Sequence, residues 1–222
     1  VVAVVRPRLL DLYCKQGGAG MGYHRAGFDV VGVDIEPQSR YPFEFHQGDA
    51  LEYLAEHGHE FDAVHASPPC HDHTSLRSLS GPNGTGYLLA ATREALGGVR
   101  APWVIENVPG SPMRVDLMLC GAMFGLRTYR HRWFEFGDYM LPPQLPHPRH
   151  RVLTSTFKRK KQYLEGYNIS VTGNIGSWVG SRVMDIDWMT GEGLSQAIPP
   201  AYTQVVGAHL LEQLAASAAA GQ

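Results

Sequence analysis

The chain has 222 residues, of which 44% are hydrophobic and 18% charged, with a formal net charge of -2. That is enough apolar material for one buried core with at most a small appendage. The near-neutral balance excludes a chain that is basic throughout, so any nucleic-acid contact has to come from a local patch.

The opening VVAVVRPRLL is too short for a signal segment followed by a cleavage site, and no run reaches the roughly 18 apolar residues of a membrane span. An apolar strand ending at Asp11 and Leu12 leads into a glycine-rich turn (Gly17, Gly18, Gly20, Gly22), a helix over residues 21–26, and a second strand over 28–34 closed by Asp34. Further strands are predicted over 62–66, 103–106 and 132–136, with a helix over 88–96. The alternation predicts an α/β fold of Rossmann type, a mostly parallel sheet with helices on both faces. After residue 136 the chain turns proline-rich, and the basic cluster Lys158, Arg159, Lys160, Lys161 follows. Residues 137–180 therefore read as an irregular insertion between a core of residues 1–136 and a segment of residues 181–222 that returns to it. Helical spacing resumes over 194–214, with Pro199 and Pro200 opening that helix, and the tail ASAAAGQ reads as frayed.

Three cysteines, Cys14, Cys70 and Cys120, leave an odd thiol and no CxxC spacing, which argues against a disulfide framework or a Cys-based zinc site and suits a reducing cytoplasm. Asp34 follows the glycines near the spacing at which a carboxylate reaches a ribose hydroxyl. No GK[ST] accompanies them, which disfavours a triphosphate loop. An adenosine cofactor without a phosphate cradle fits, and S-adenosylmethionine is the common one. Asp49 is the next loop acid, with a helix N-cap as its alternative role. In ASPPCHDH, Cys70 follows Ser67, Pro68 and Pro69 at the carboxyl end of a strand, where open parallel sheets place ligands. The prolines stiffen the loop, which makes Cys70 a candidate nucleophile; a buried small hydrophobe is the alternative. His71 and His73 read as hydrogen-bonding residues, and no metal is expected. Glu106-Asn107 and Arg130-His131-Arg132 add an acid and two arginines at strand ends.

In order along the chain, these motifs resemble those of the cytosine-5 DNA methyltransferases. DLYCKQGGAGMG is similar to that family's cofactor loop, which places Asp11, Tyr13, Cys14, Lys15, Gly17 and Gly18 against the cofactor. Asp34-Ile35 resembles the ribose acid and adenine-stacking pair, and Asp49, with Ala50, the adenine-amino acceptor. SPPC resembles the nucleophile loop, with Pro68 toward the cofactor and Ser67 and Pro69 toward the base. Glu106-Asn107-Val108 and Arg130-His131-Arg132 resemble the family's acid and paired-arginine motifs, and QAIPPA, ending at Ala201, its closing segment. The short frame is similar to DNA methylases carried by bacteriophages, which implies a host cytoplasm. Lys15 stands where the family has glycine, His71 where it has glutamine, and the recognition region is small.

The resemblance implies that Cys70 adds to carbon 6 of a flipped cytosine, Glu106 supports the ring nitrogen, Arg132 binds the base oxygen and Arg130 joins the catalytic set. Asn107 and the four residues 158–161 would contact DNA. Other readings stay open: an RNA cytosine methyltransferase, a transferase using a modified cofactor that Lys15 would accommodate, or an inactive DNA-binding homologue. A homodimer would enlarge so small a reader.

Overall fold

The computed structural model describes residues 5–69, 87–137, 140, 142–155, 160–173 and 175–220. Its main sheet is built from β1 (Arg8–Leu12), β2 (Asp29–Asp34), β3 (Glu44–Gln47), β4 (Ala63–Ala66), β5 (Trp103–Asn107), β6 (Leu117–Leu119) and β7 (Arg132–Phe136). The order across the sheet is β3-β2-β1-β4-β5-β7-β6, and β7 runs antiparallel to both of its neighbours. The chain therefore leaves β1 first toward one edge and, from β4 onward, toward the other, so the crevice above β1 and β4 is the switch point where such sheets hold ligands.

Side chains alternate across this sheet with the two-residue strand period. Leu9, Val30, Ala63 and Val104 face a core shared with Tyr23, Tyr202, Val206 and Leu210. Leu10, Val31, Val64 and Ile105 face the opposite core, with Leu54, Leu89 and Leu96. Helices α1 (Gly18–Ala26) and α7 (Pro200–Ala220) cover the first face, and α2 (Ala50–His57) and α3 (Tyr87–Gly97) cover the second. Burial on both faces explains why the central strands read as continuous apolar runs.

Most of the glycine-rich segment is helix, which corrects the reading of it as a turn. Only Gly17 makes the turn, at φ 82°, and α1 starts at Gly18. Gly18 and Gly22 allow close approach instead. A Cβ on Gly18 would lie 2.5 Å from the Ile198 carbonyl oxygen, and one on Gly22 would lie 2.0 Å from Thr203 Oγ1.

The described residues within 137–180 hold more regular structure than the irregular insertion expected there. They include β8 (Thr154–Ser155), α4 (Lys160–Leu164) and β9 (Asn168–Ile169), with β8 and β9 paired in parallel. The expected boundary at Gly180 falls inside α5 (Ser177–Met184). A third apolar cluster runs from Ile169 through Val179, Val183 and Leu194 to Ala197, across that boundary. Pro200 opens α7 as expected, while the helical spacing before it belongs to a separate short helix, α6 (Gly191–Gln196), since Ala197, Ile198 and Pro199 between the two are not helical. The tail stays helical to Ala220. Among the described residues, no helix is long and apolar enough to cross a membrane.

Candidate active site

A cavity of about 400 Å³ opens at the carboxyl ends of the parallel strands. The segments after β1, β2, β3, β4 and β5 each send residues into it, as the switch-point rule requires. β7 contributes from its amino end, because its reversed direction sets Trp133 opposite Asn107 and Phe134 opposite Glu106.

On the β1 side, Asp11 is fully buried and accepts a hydrogen bond from Tyr41 at 3.1 Å through Oδ2, while Oδ1 has no partner among the described residues. Burial pushes its carboxyl up to about 7, against the lowering effect of the Tyr41 bond. Tyr13 and Lys15 adopt left-handed backbone at φ 59° and 45°. Lys15 thus keeps a conformation natural to glycine, and its backbone N–H donates to Asp34 Oδ2 at 3.0 Å. Its ammonium lies 2.8 Å from Glu36 and 3.5 Å from Asp34, so the cation is drawn to the acids after β2. Ile35, 54% exposed, presents an apolar surface at the cavity rim. Asp49 is the N-cap of α2, its Oδ1 accepting from the Leu51 and Glu52 N–H groups at 2.8 and 3.1 Å, and it also lines the cavity beside Ala50.

On the β4–β5 side, Ser67, Pro68 and Pro69 line the cavity, and Asn107 Nδ2 holds the Pro68 carbonyl at 2.9 Å. The amide oxygen of Asn107 receives Val108 N and Ser111 Oγ, so this side chain pegs the proline loop in place. Glu106 is buried, with Arg132 Nε 2.9 Å from its Oε1. That contact lacks hydrogen-bond alignment, and Oε1 has no hydrogen-bond partner among the described residues. Burial raises the Glu106 carboxyl above its ordinary range, with Arg132 and a Ser67 hydroxyl bond opposing. Behind it runs a chain that sequence reasoning missed: Tyr23 OH lies 2.9 Å from His65 Nδ1, and His65 Nε2 lies 2.8 Å from Ser67 Oγ. Burial drives His65 down to about 3, which keeps it neutral.

Several expected site residues stand elsewhere. Arg130 donates to the carbonyls of Ala197, Val171 and Ser195 at 2.8, 2.7 and 2.8 Å, so its guanidinium is a clasp between segments and does not line the cavity. Ala201 and Gly17 also do not line it; Ser195, Gln196, Ala197 and Ile198 close that wall. Cys14 does, as a buried thiol pushed far up by burial. Gln16, unflagged by the sequence, ties the β1 loop to the α6 entry. Its Oε1 receives Thr190 N at 3.0 Å, and its carbonyl receives Trp188 Nε1 at 2.8 Å. Cys70, His71 and His73 lie outside the described residues, as do Lys158 and Arg159. Lys160 stacks on Trp178 at 4.7 Å, and Lys161 lies 3.7 Å from Glu165.

No family model matches the sequence, and no curated protein is similar to it. Among solved structures, the chain is similar to the Dnmt2 methyltransferase of S. pombe, at 13% identity and a TM-score of 0.59 over 94% of this chain and 99% of that one. It is also similar to the Entamoeba histolytica methyltransferase EhMeth, at 13% identity and 0.58 over 95% and 99%. A DNA modification methyltransferase encoded within an E. coli prophage is 21% identical over 59% of this chain, with a TM-score of 0.46. This chain spans 45% of that protein's length. The first two likenesses run along almost the whole chain, which therefore has the Rossmann-like fold of those methyltransferases.

Proposed function

We propose that this chain is a DNA cytosine-5 methyltransferase that uses S-adenosylmethionine. The observation that carries the reading is the buried Glu106–Arg132 pair, opening onto the same cavity as Asp11, Asp34 and Asp49. One cavity thereby joins an acid–guanidinium reader for a flat polar ring to a row of acids suited to an adenosine with a cationic tail.

The cofactor suits the residues present. Among the described residues Asp11 Oδ1 is a buried acceptor without a partner, which a cationic donor satisfies. Asp34 would take the ribose hydroxyls, Ile35 the adenine face, and Asp49 the adenine amino group through its second oxygen. When bound, S-adenosylmethionine supplies an electrophilic sulfonium methyl.

The base would enter by flipping from the helix, at a cost of a few kcal/mol. Glu106 holds a proton toward the ring nitrogen and accepts from the amino group through Oε1, the oxygen without an aligned partner among the described residues. Arg132 donates to the base oxygen. Cys70 follows Pro69 directly in sequence, and its thiolate forms a bond to carbon 6, which makes carbon 5 nucleophilic. After methylation, loss of the carbon 5 proton to a base or water restores the ring double bond and expels the thiolate. Lys160 and Lys161, the exposed Arg149 and Arg151, and Lys158 and Arg159 in sequence beside them supply phosphate contacts.

Transfer of labelled methyl from the cofactor to DNA, RNA and free nucleotides tests the reading. 5-Methyldeoxycytidine in DNA, lost in Cys70→Ser, is expected, with a stable Cys70 adduct on 5-fluorocytosine DNA. Methylation of RNA in preference to DNA would move the substrate, and no transfer to any of the three would overturn the proposal.

A further inference from the structure

Four metal-binding side chains converge outside the cavity, and the mechanism uses none of them. Cys120 follows β6, His131 immediately precedes β7, and His147 and His150 bracket Pro148 and Arg149 in the proline-rich segment. One ligand atom from each lies within 4.8 Å of the other three. Cys120 Sγ is 3.3 Å from His150 Nε2, and His131 Nε2 is 3.2 Å from His147 Nε2. Tetrahedral zinc with ordinary Zn–N and Zn–S bonds sets its ligand atoms about 3.3–3.6 Å apart, and both contacts lie close to that spacing.

Hydrogen bonding accounts poorly for the arrangement. Two imidazole nitrogens facing each other share at most one proton, and a thiol is a weak donor. A divalent ion satisfies all four acceptors at once.

We infer that Cys120, His131, His147 and His150 form a structural zinc site. One thiolate and three imidazoles favour zinc over hard cations, and four protein ligands leave no open position for catalysis. In the sequence no CxxC spacing is present and His71 and His73 have no third ligand at a recognisable spacing, so no metal is expected from it. Three separate segments supply this set, so only folding brings it together.

The site would fasten residues 147–150 to the β6–β7 edge, where Tyr129 already stacks on His150 at 3.6 Å and binds the Val152 carbonyl at 2.7 Å. Because His131 precedes Arg132, the ion also anchors the amino end of β7. The inference does not depend on the proposed methyl transfer.

Elemental analysis of the full chain, produced in zinc-replete medium and desalted, tests it. The expected content is about one zinc per chain, falling below about a tenth in a His147→Ala/His150→Ala variant. Cys70→Ser and a His71→Ala/His73→Ala variant should keep their zinc. Should the depleted variant fail to fold, cobalt exchange into the unmutated chain decides the matter. Intense visible absorption of a tetrahedral centre, with a thiolate charge-transfer band lost in Cys120→Ser but not in Cys14→Ser, supports the site. Zinc content below about a tenth per chain, a weak octahedral cobalt spectrum, or full zinc retention in the folded double histidine variant would overturn it.

Discussion

Arg132 meets Glu106 across two strands that run in opposite directions, with Nε 2.9 Å from Oε1. Parallel neighbours would put the start of one strand at the far edge of the sheet from the end of the other. The reversal of β7 is what brings an amino-terminal arginine to the edge where β5 ends.

Glu106→Gln should leave cofactor binding within about twofold while slowing single-turnover methyl transfer about 100-fold or more, since the amide keeps the shape but cannot hold the proton. Calorimetry with the demethylated cofactor and rapid-quench kinetics check the two halves. Equal losses in affinity and rate would show that Glu106 shapes the cavity and not the chemistry.

Asp11 sets a pH dependence with a definite sign. Burial holds its carboxyl up to about 7, so the folded protein keeps this proton longer than the unfolded chain does. Its contribution to stability is fully present below the ordinary carboxylate range and declines as pH rises toward 7. A cationic ligand reverses the preference by favouring the carboxylate. Cofactor affinity should therefore rise between about pH 5 and about pH 7.5, with release of a proton, and Asp11→Asn should flatten that rise. Calorimetry in buffers of differing ionisation enthalpy reads the proton directly.

At Lys15, backbone conformation and charge can be separated. Glycine relieves left-handed strain of about 1–2 kcal/mol and forfeits an ion pair with the exposed Glu36 of at most about 1 kcal/mol together with a longer contact to the buried Asp34, so Lys15→Gly should melt close to the parent temperature. Lys15→Val should melt lower, because a β-branched residue tolerates φ 45° poorly. Identical melting of the two variants would contradict this account of the loop.

Gly22→Ala should destabilise by about 1–3 kcal/mol, as its Cβ meets Thr203 Oγ1 at 2.0 Å and the Pro200 carbonyl oxygen at 2.2 Å. Adding Thr203→Ala should recover only part, because the backbone oxygen remains. Chemical denaturation of both variants measures the difference.

The sequence made β1, β2, β4, β5 and β7 readable because strands buried on one or both faces are written in apolar residues. β3, with Glu44, Phe45, His46 and Gln47, lies at an edge and is written mostly in polar ones, so it carried no such signal. Asp11, Asp34, Glu106 and Arg132 were legible because strand order alone brings them to one edge. Arg130 misled: a motif names an arginine but not which carbonyls will take its five N–H groups. Gln16 had no local pattern at all, since its partners, Trp188 and Thr190, lie in the turn that leads into α6.

The contact between α1 and α7 has a consequence for how the protein is made. Tyr23 and Phe28 are synthesised early, yet their cover includes Tyr202, Val206 and Leu210. A nascent chain leaving the ribosome thus carries a partly uncovered apolar sheet face until α7 has emerged, and its parallel core closes only through contacts distant in sequence. Chaperone occupancy during translation should accordingly persist past residue 200 and end once α7 docks, which ribosome-nascent-chain crosslinking at staged lengths can time.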